Sequence, residues 1–201
     1  MKTVHRNLPV FIHLVVLGAL AFGVYANNFN HAYLLDSTYS IEQNPCVRSL
    51  KNVPRYFTDP QTLTVYRANA DYRPILQLTY ALNYAVSGYA TPMWHFVQIL
   101  LHWVCAVALY FFCWIFLGFG TKKSAADAPV ADAPAADALV SNASAADVSI
   151  PIRRIWGERE GWITIPLLVA VLFVVHPTGA GVVNYLHARS ALLTAAFLLP
   201  S

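Results

Sequence analysis

Charge is what this chain has least of. Asp, Glu, Lys and Arg make up 11% of its 201 residues, while apolar residues make up 57%. A soluble domain of this length could bury a sizeable core, but it needs more charge than this to cover its surface. The charges it has nearly cancel: 13 basic and 10 acidic residues leave +3 with histidine neutral. The basic residues stand singly or in pairs, without the stripe that tracks a phosphate backbone, so nucleic-acid partners are set aside. Cysteine is scarce, and the spacing of Cys46, Cys105 and Cys113 fits neither a disulfide framework nor a zinc site. Two of the three lie in an apolar run, as small packing residues do. No internal repeat with a period of about 20–50 residues is present. No carboxylate falls inside an apolar run, which counts against a transporter built round an intramembrane acid.

The chain does contain apolar runs. Residues 8–25 are apolar except for His13, an 18-residue stretch preceded by Lys2 and Arg6, close to the about 20 residues that span a bilayer. A basic start and an apolar core also suit a signal peptide. Ala19-Leu20-Ala21 and Val24-Tyr25-Ala26 are imperfect cleavage sites, so the run is read as an uncleaved helix with a cytoplasmic N-terminus. A second span covers 94–118 and ends at Lys122-Lys123, again a cytoplasmic signature. A third run, 162–175, is short and stops at His176-Pro177. A fourth opens near Ser190 and reaches Leu199. The fold class expected is therefore all-α: a multispan α-helical membrane protein, the front part of a larger one, with a long external loop that carries interfacial helices.

That loop is 26–92. It is polar and aromatic, and too rich in Tyr, Phe and Leu for a plain linker. Within it, Pro74 can open a helix over 74–87, where Ile75, Leu76, Leu78, Leu82 and Val86 recur at mixed helical spacing. A helix of that kind lies on a bilayer surface. Residues 1–120 thus form one unit of two spans and a loop, and 161–201 form a second unit with the third span and the start of the fourth. Between them, 121–160 includes a low-complexity stretch with Ala-Asp-Ala-Pro at 126–129 and 131–134. It is expected to be a solvated cytoplasmic linker, where the Asn142-Ala143-Ser144 sequon stays unused.

Several short stretches carry a resemblance. They are Tyr33-Leu34-Leu35-Asp36-Ser37-Thr38-Tyr39-Ser40-Ile41, Asn44-Pro45-Cys46-Val47-Arg48, Tyr72-Arg73-Pro74, Leu82-Asn83-Tyr84, Trp94-His95 and Leu101-His102. Later come Val174-Val175-His176-Pro177, Val183 and Ala188-Arg189-Ser190-Ala191-Leu192-Leu193. In this order and spacing, over 10–120 and 160–199, the chain resembles the membrane part of the transmembrane and tetratricopeptide-repeat O-mannosyltransferases and their bacterial relatives. The resemblance implies a GT-C glycosyltransferase in the bacterial inner membrane. It would take a sugar from a polyprenyl-phosphate donor and place it on a protein or glycan hydroxyl at the external face, with membrane lipids around it. No organic cofactor is implied, and a divalent metal is left open. The family pattern has two adjacent acidic residues in the first loop. Here Asp36 matches the first, and Ser37 stands at the second. That departure keeps a non-catalytic membrane scaffold as the alternative, and the chain by itself is expected to be inactive.

Such a transfer needs a base for the acceptor hydroxyl and positive charge for the departing phosphate. A carboxylate at the membrane surface supplies the first, and arginine, with its planar fork, the second. Asp36 is the expected base. Arg73, Arg189 and His102 are the expected phosphate ligands, with Glu42, His95 and His176 as further candidates. Asp36 can instead cap a turn or a helix beginning at Ser37, and Glu42, the weaker acid candidate, reads more readily as a solvated surface charge. Arg73 can instead bridge to Asp71 or Asp36, Arg189 can be a topological anchor, and His95, Gln98 and His102 can form a polar packing stripe. No metal site is expected: His95 and His102 lie about 10 Å apart along a helix axis.

Overall fold

The computed structural model describes residues 4–33, 36–66, 68, 71–116 and 165–199, with the first helix's side chains from Val10 onward. Helices are α1 (Val4–Val24), α2 (Val53–Tyr56), α3 (Pro74–Ser87), α4 (Thr91–Phe116), α5 (Ile165–Val175), α6 (Pro177–Asn184) and α7 (Arg189–Leu198). No strand occurs among the described residues, so the all-α expectation holds. The linker expected over 121–160, its Lys122-Lys123, its sequon and its arginines lie outside the described residues.

Four long-range bonds set the directions of the helices. His13, early in α1, meets the Tyr110 hydroxyl, late in α4, at 3.0 Å. Tyr25, just past α1, packs edge-on against His102 in the middle of α4. α1 and α4 are therefore antiparallel. The Tyr25 hydroxyl also donates to the Val174 carbonyl at 3.2 Å, so α1 and α5 finish at one level. α7 starts beside Trp94 and Gln98 and descends until the Cys105 thiol donates to the Leu192 carbonyl at 3.2 Å. It thus runs alongside α4 in the same direction. The shared core is Leu17, Ala21, Ile99, Ala106, Ala170, Val174 and Val183. Its alanines are small enough to let helix backbones come close.

α5 and α6 are one helix broken at Pro177, with a bend of 59°. Proline lacks the N–H that would continue the ladder. His176 takes an extended conformation and accepts the Thr178 N–H on its side chain, so it caps the new helix. Gly179 is required just beyond the break, because a Cβ there would stand 2.7 Å from the Tyr25 hydroxyl.

α4 is long and apolar enough to cross a membrane, and α5 with α6 passes the same test as a broken pair. In the most apolar window of α4 only 28% of residues are buried, whereas the core helix of a soluble protein is mostly buried. The outward side chains of the other helices are of the same kind: Phe11, Val15, Leu168, Leu172 and Phe197 are exposed.

The expected loop of 26–92 is mostly a packed cap. Short 3₁₀ turns, a π-helical turn over Thr38–Glu42 and α2 fold against α3. Ile41, Val47, Leu63, Leu76, Tyr80, Trp94 and Leu186 form its own core. Asn44 holds it together: its amide donates to the carbonyls of Ser40, Thr62 and Leu63, and its oxygen accepts from Cys46 N. Gln77 of α3 bonds both the carbonyl and the hydroxyl of Thr62. α3 closes at Gly88, whose φ of 55° suits glycine and whose carbonyl accepts the Trp94 indole N–H. Asn44→Ala strips donors from three carbonyls and is expected to destabilise the cap by about 2 kcal/mol. Limited proteolysis across 45–66 checks this: cleavage should be several-fold faster in the variant, with the α4 region still protected.

Candidate functional site

At one end of the bundle, the cap, the start of α3 and the 185–190 turn meet. Asp36 is half-buried at the head of the π-helical turn. One of its carboxylate oxygens accepts the Tyr185 hydroxyl at 2.8 Å. Ser40, one turn further on, faces His187 Nδ1 at 3.5 Å. Burial and the bond to Asp36 push the Tyr185 phenol up to about 12, so it keeps its proton. Burial lowers the pKa of the His187 imidazole; Asp36 and Asp71 oppose the shift and Arg73 adds to it. His187 thus sits in the field of both carboxylates and the guanidinium.

Arg73 forms the N-terminal boundary of α3, its backbone kept out of the helical region by Pro74. Its guanidinium bonds Asp71 at 2.7 Å and the Ser190 hydroxyl at 3.3 Å. Half-exposed, it lines a cavity of about 500 Å³ between α3 and α7. Ile75, Leu76, Leu193, Phe197 and Leu198 make the walls; the Ser190 hydroxyl accepts from the Arg73 guanidinium, while the Thr194 hydroxyl donates to the Ser190 carbonyl at 2.9 Å. This is a mostly apolar groove with a cation and two hydroxyls on one side, a shape that takes an amphipathic chain with an anionic head.

The three phosphate candidates are not brought together, and only Arg73 lines the groove. Arg189 is fully buried at the start of α7. Its Nε donates to Gln98 Oε1 at 3.1 Å, and its Nη2 to Asn83 Oδ1 and the Trp94 carbonyl, both at 3.3 Å. It lies over the rings of Tyr80 and Trp94. Those contacts make it a clasp joining α3, α4 and α7. His102 is buried between Tyr25 and Phe173, with Nε2 3.5 Å from the Val174 carbonyl. His95 is buried against the His31 carbonyl at 3.2 Å. With Gln98 they form a buried polar stripe on α4. Glu42 is exposed at the end of its turn, and no ion pair reaches it among the described residues. His176 is exposed and occupied as a cap. No cluster of three or more metal-ligand side chains is present among the described residues.

Sequence reasoning missed Tyr185 and His187. The signal was available: Tyr185-Leu186-His187 is a polar, aromatic interruption between two apolar runs, on the same side as Asp36. Ser37, at the place of the second acidic residue, is buried with an unpartnered hydroxyl.

No protein-family model, no curated protein and no solved structure matches the chain.

Proposed function

We propose that this chain is the membrane part of a GT-C-like glycosyltransferase, inserted in a bacterial inner membrane with its N-terminus in the cytoplasm. It would use a polyprenyl-phosphate sugar as donor and a protein or glycan hydroxyl as acceptor. One observation carries the reading: Arg73, bonded to the Ser190 hydroxyl at 3.3 Å, lines a mostly apolar groove between α3 and α7. That arrangement suits a lipid chain lying between α3 and α7, with its phosphate on Arg73, Ser190 and Thr194. In the transfer, the acceptor oxygen bonds to the anomeric carbon as the carbon–oxygen bond to phosphate breaks. The bonding pair leaves with the phosphate, and Asp36 takes the hydroxyl proton. The outward apolar side chains support a bilayer around α1, α4, α5–α6 and α7.

Two measurements test this. Membranes carrying the protein should transfer radiolabelled sugar from polyprenyl-phosphate donors, and nucleotide sugars without a lipid carrier should give none. A cysteine placed at 61 should react with an impermeant reagent added to intact cells, and one at 135 should react only after permeabilisation. Labelling of 61 from the cytoplasm alone would overturn both the topology and the site.

A further inference from the structure

Among the described residues, the Asp36 carboxylate has one hydrogen-bonding side chain on it, and that side chain is distant in the sequence. Tyr185 lies 149 positions away, in the turn between α6 and α7. That turn is fixed from two sides. The Gln98 amide of α4 donates to the Val182 carbonyl at 2.9 Å and reaches the Tyr185 carbonyl at 3.5 Å. Tyr80 of α3 donates to the Leu186 carbonyl at 3.2 Å, and Leu186 is itself buried in the cap's core. Ala188 N closes the turn onto the Tyr185 carbonyl at 3.0 Å. The phenol is thus held by buried bonds to two helices before it meets Asp36. Among the described residues no second donor reaches the carboxylate, and Asp36 is only half-buried.

We infer that Tyr185 is a positioning residue for Asp36, fixing one carboxylate oxygen with its hydroxyl so that the other faces the acceptor. This rests on the transferase reading, and it adds that the first loop and the 185–188 turn must be assembled before the base is aimed. A pre-oriented group avoids the reorganisation that a freely rotating carboxylate needs before each proton transfer. His187 from the same turn packs near the Tyr185 ring, with the ring centres 5.9 Å apart.

The test uses the full chain in detergent and in membranes, with Tyr185→Phe, Asp36→Asn and the double variant. Phenylalanine keeps the ring that packs near His187 and removes only the hydroxyl. Tyr185→Phe should lower kcat by about 10- to 100-fold with the donor KM unchanged. In the Asp36→Asn background the same change should have no further effect. Independently of activity, the Asp36 carboxylate stretch, isolated as the infrared difference between the wild type and Asp36→Asn, should shift when Tyr185 loses its hydroxyl. An unchanged stretch overturns the inference whatever the assay shows. Additive losses also overturn it, because they describe a tyrosine that only supports the fold. A shifted stretch with no sugar transfer from any of the proteins supports the contact and removes the transferase reading alone.

Discussion

Replacing Arg189 with alanine is expected to remove most of the folded protein, not merely to weaken donor binding. The side chain is fully buried and has no carboxylate partner among the described residues. Its charge is balanced by neutral groups: the Gln98 and Asn83 side-chain oxygens, the Trp94 carbonyl and the faces of Tyr80 and Trp94. Alanine leaves those oxygens buried without their donor and opens a hole where three helices meet. Each effect alone costs about 1–3 kcal/mol, and three oxygens lose their donor at once. That is a large share of the about 5–15 kcal/mol that holds a domain together. Arg189→Lys keeps the charge but cannot serve Gln98, Asn83 and Trp94 at once, so it should lose about half as much. Thermal melting in detergent, with proteolysis across the cap as a second readout, checks both. A normally folded Arg189→Ala that no longer binds donor would return Arg189 to the phosphate site.

That contrast shows what the sequence could and could not reveal. An arginine at the mouth of an apolar run is legible. Which way its guanidinium points is not, because the direction depends on Asn83 and Gln98, acceptors 106 and 91 positions away. The helices were legible for the complementary reason. α4 and α5 follow apolar runs, α3 begins at Pro74, and α5 stops at His176-Pro177, all local signals. The cap of 36–66 has no such signal. Its turns are three to five residues long, too short for periodicity, and they are held by the Asn44 side chain on backbone carbonyls. Asp36 and Arg73 stood out as charges beside apolar stretches. Tyr185 did not, since a tyrosine between helices is ordinarily a packing residue and only the fold reveals the carboxylate it meets. The ion pair of Arg73 with Asp71, open as an alternative at the sequence level, is made at 2.7 Å on an exposed surface. There it contributes about 0–1 kcal/mol and leaves Arg73 free to exchange partners.

That freedom matters for the second large effect. Asp36→Asn should cut turnover per folded molecule by about 10²-fold or more. The amide keeps the size of the carboxylate, and its oxygen can still accept the Tyr185 hydroxyl, so the fold around the 185–188 turn should survive. It cannot take a proton at neutral pH, so the acceptor hydroxyl loses its base and the donor KM stays near its starting value. Arg73→Lys should show the opposite pattern. The lysine keeps one positive charge at the groove but loses the planar fork that can hold two oxygens, so donor KM should rise by about tenfold while kcat changes less. Asp71 makes this variant more informative. An ammonium that settles on Asp71 no longer reaches the groove, and Asp71→Asn in the Arg73→Lys background should then recover part of the lost affinity. Initial rates over a range of donor concentrations, divided by the amount of protease-resistant protein, separate these patterns from a folding defect. A folding defect lowers the denominator and leaves kcat and KM per folded molecule where they were. Normal specific activity in Asp36→Asn would remove the carboxylate from the mechanism, and an unchanged donor KM in Arg73→Lys would move the phosphate away from the α3–α7 groove.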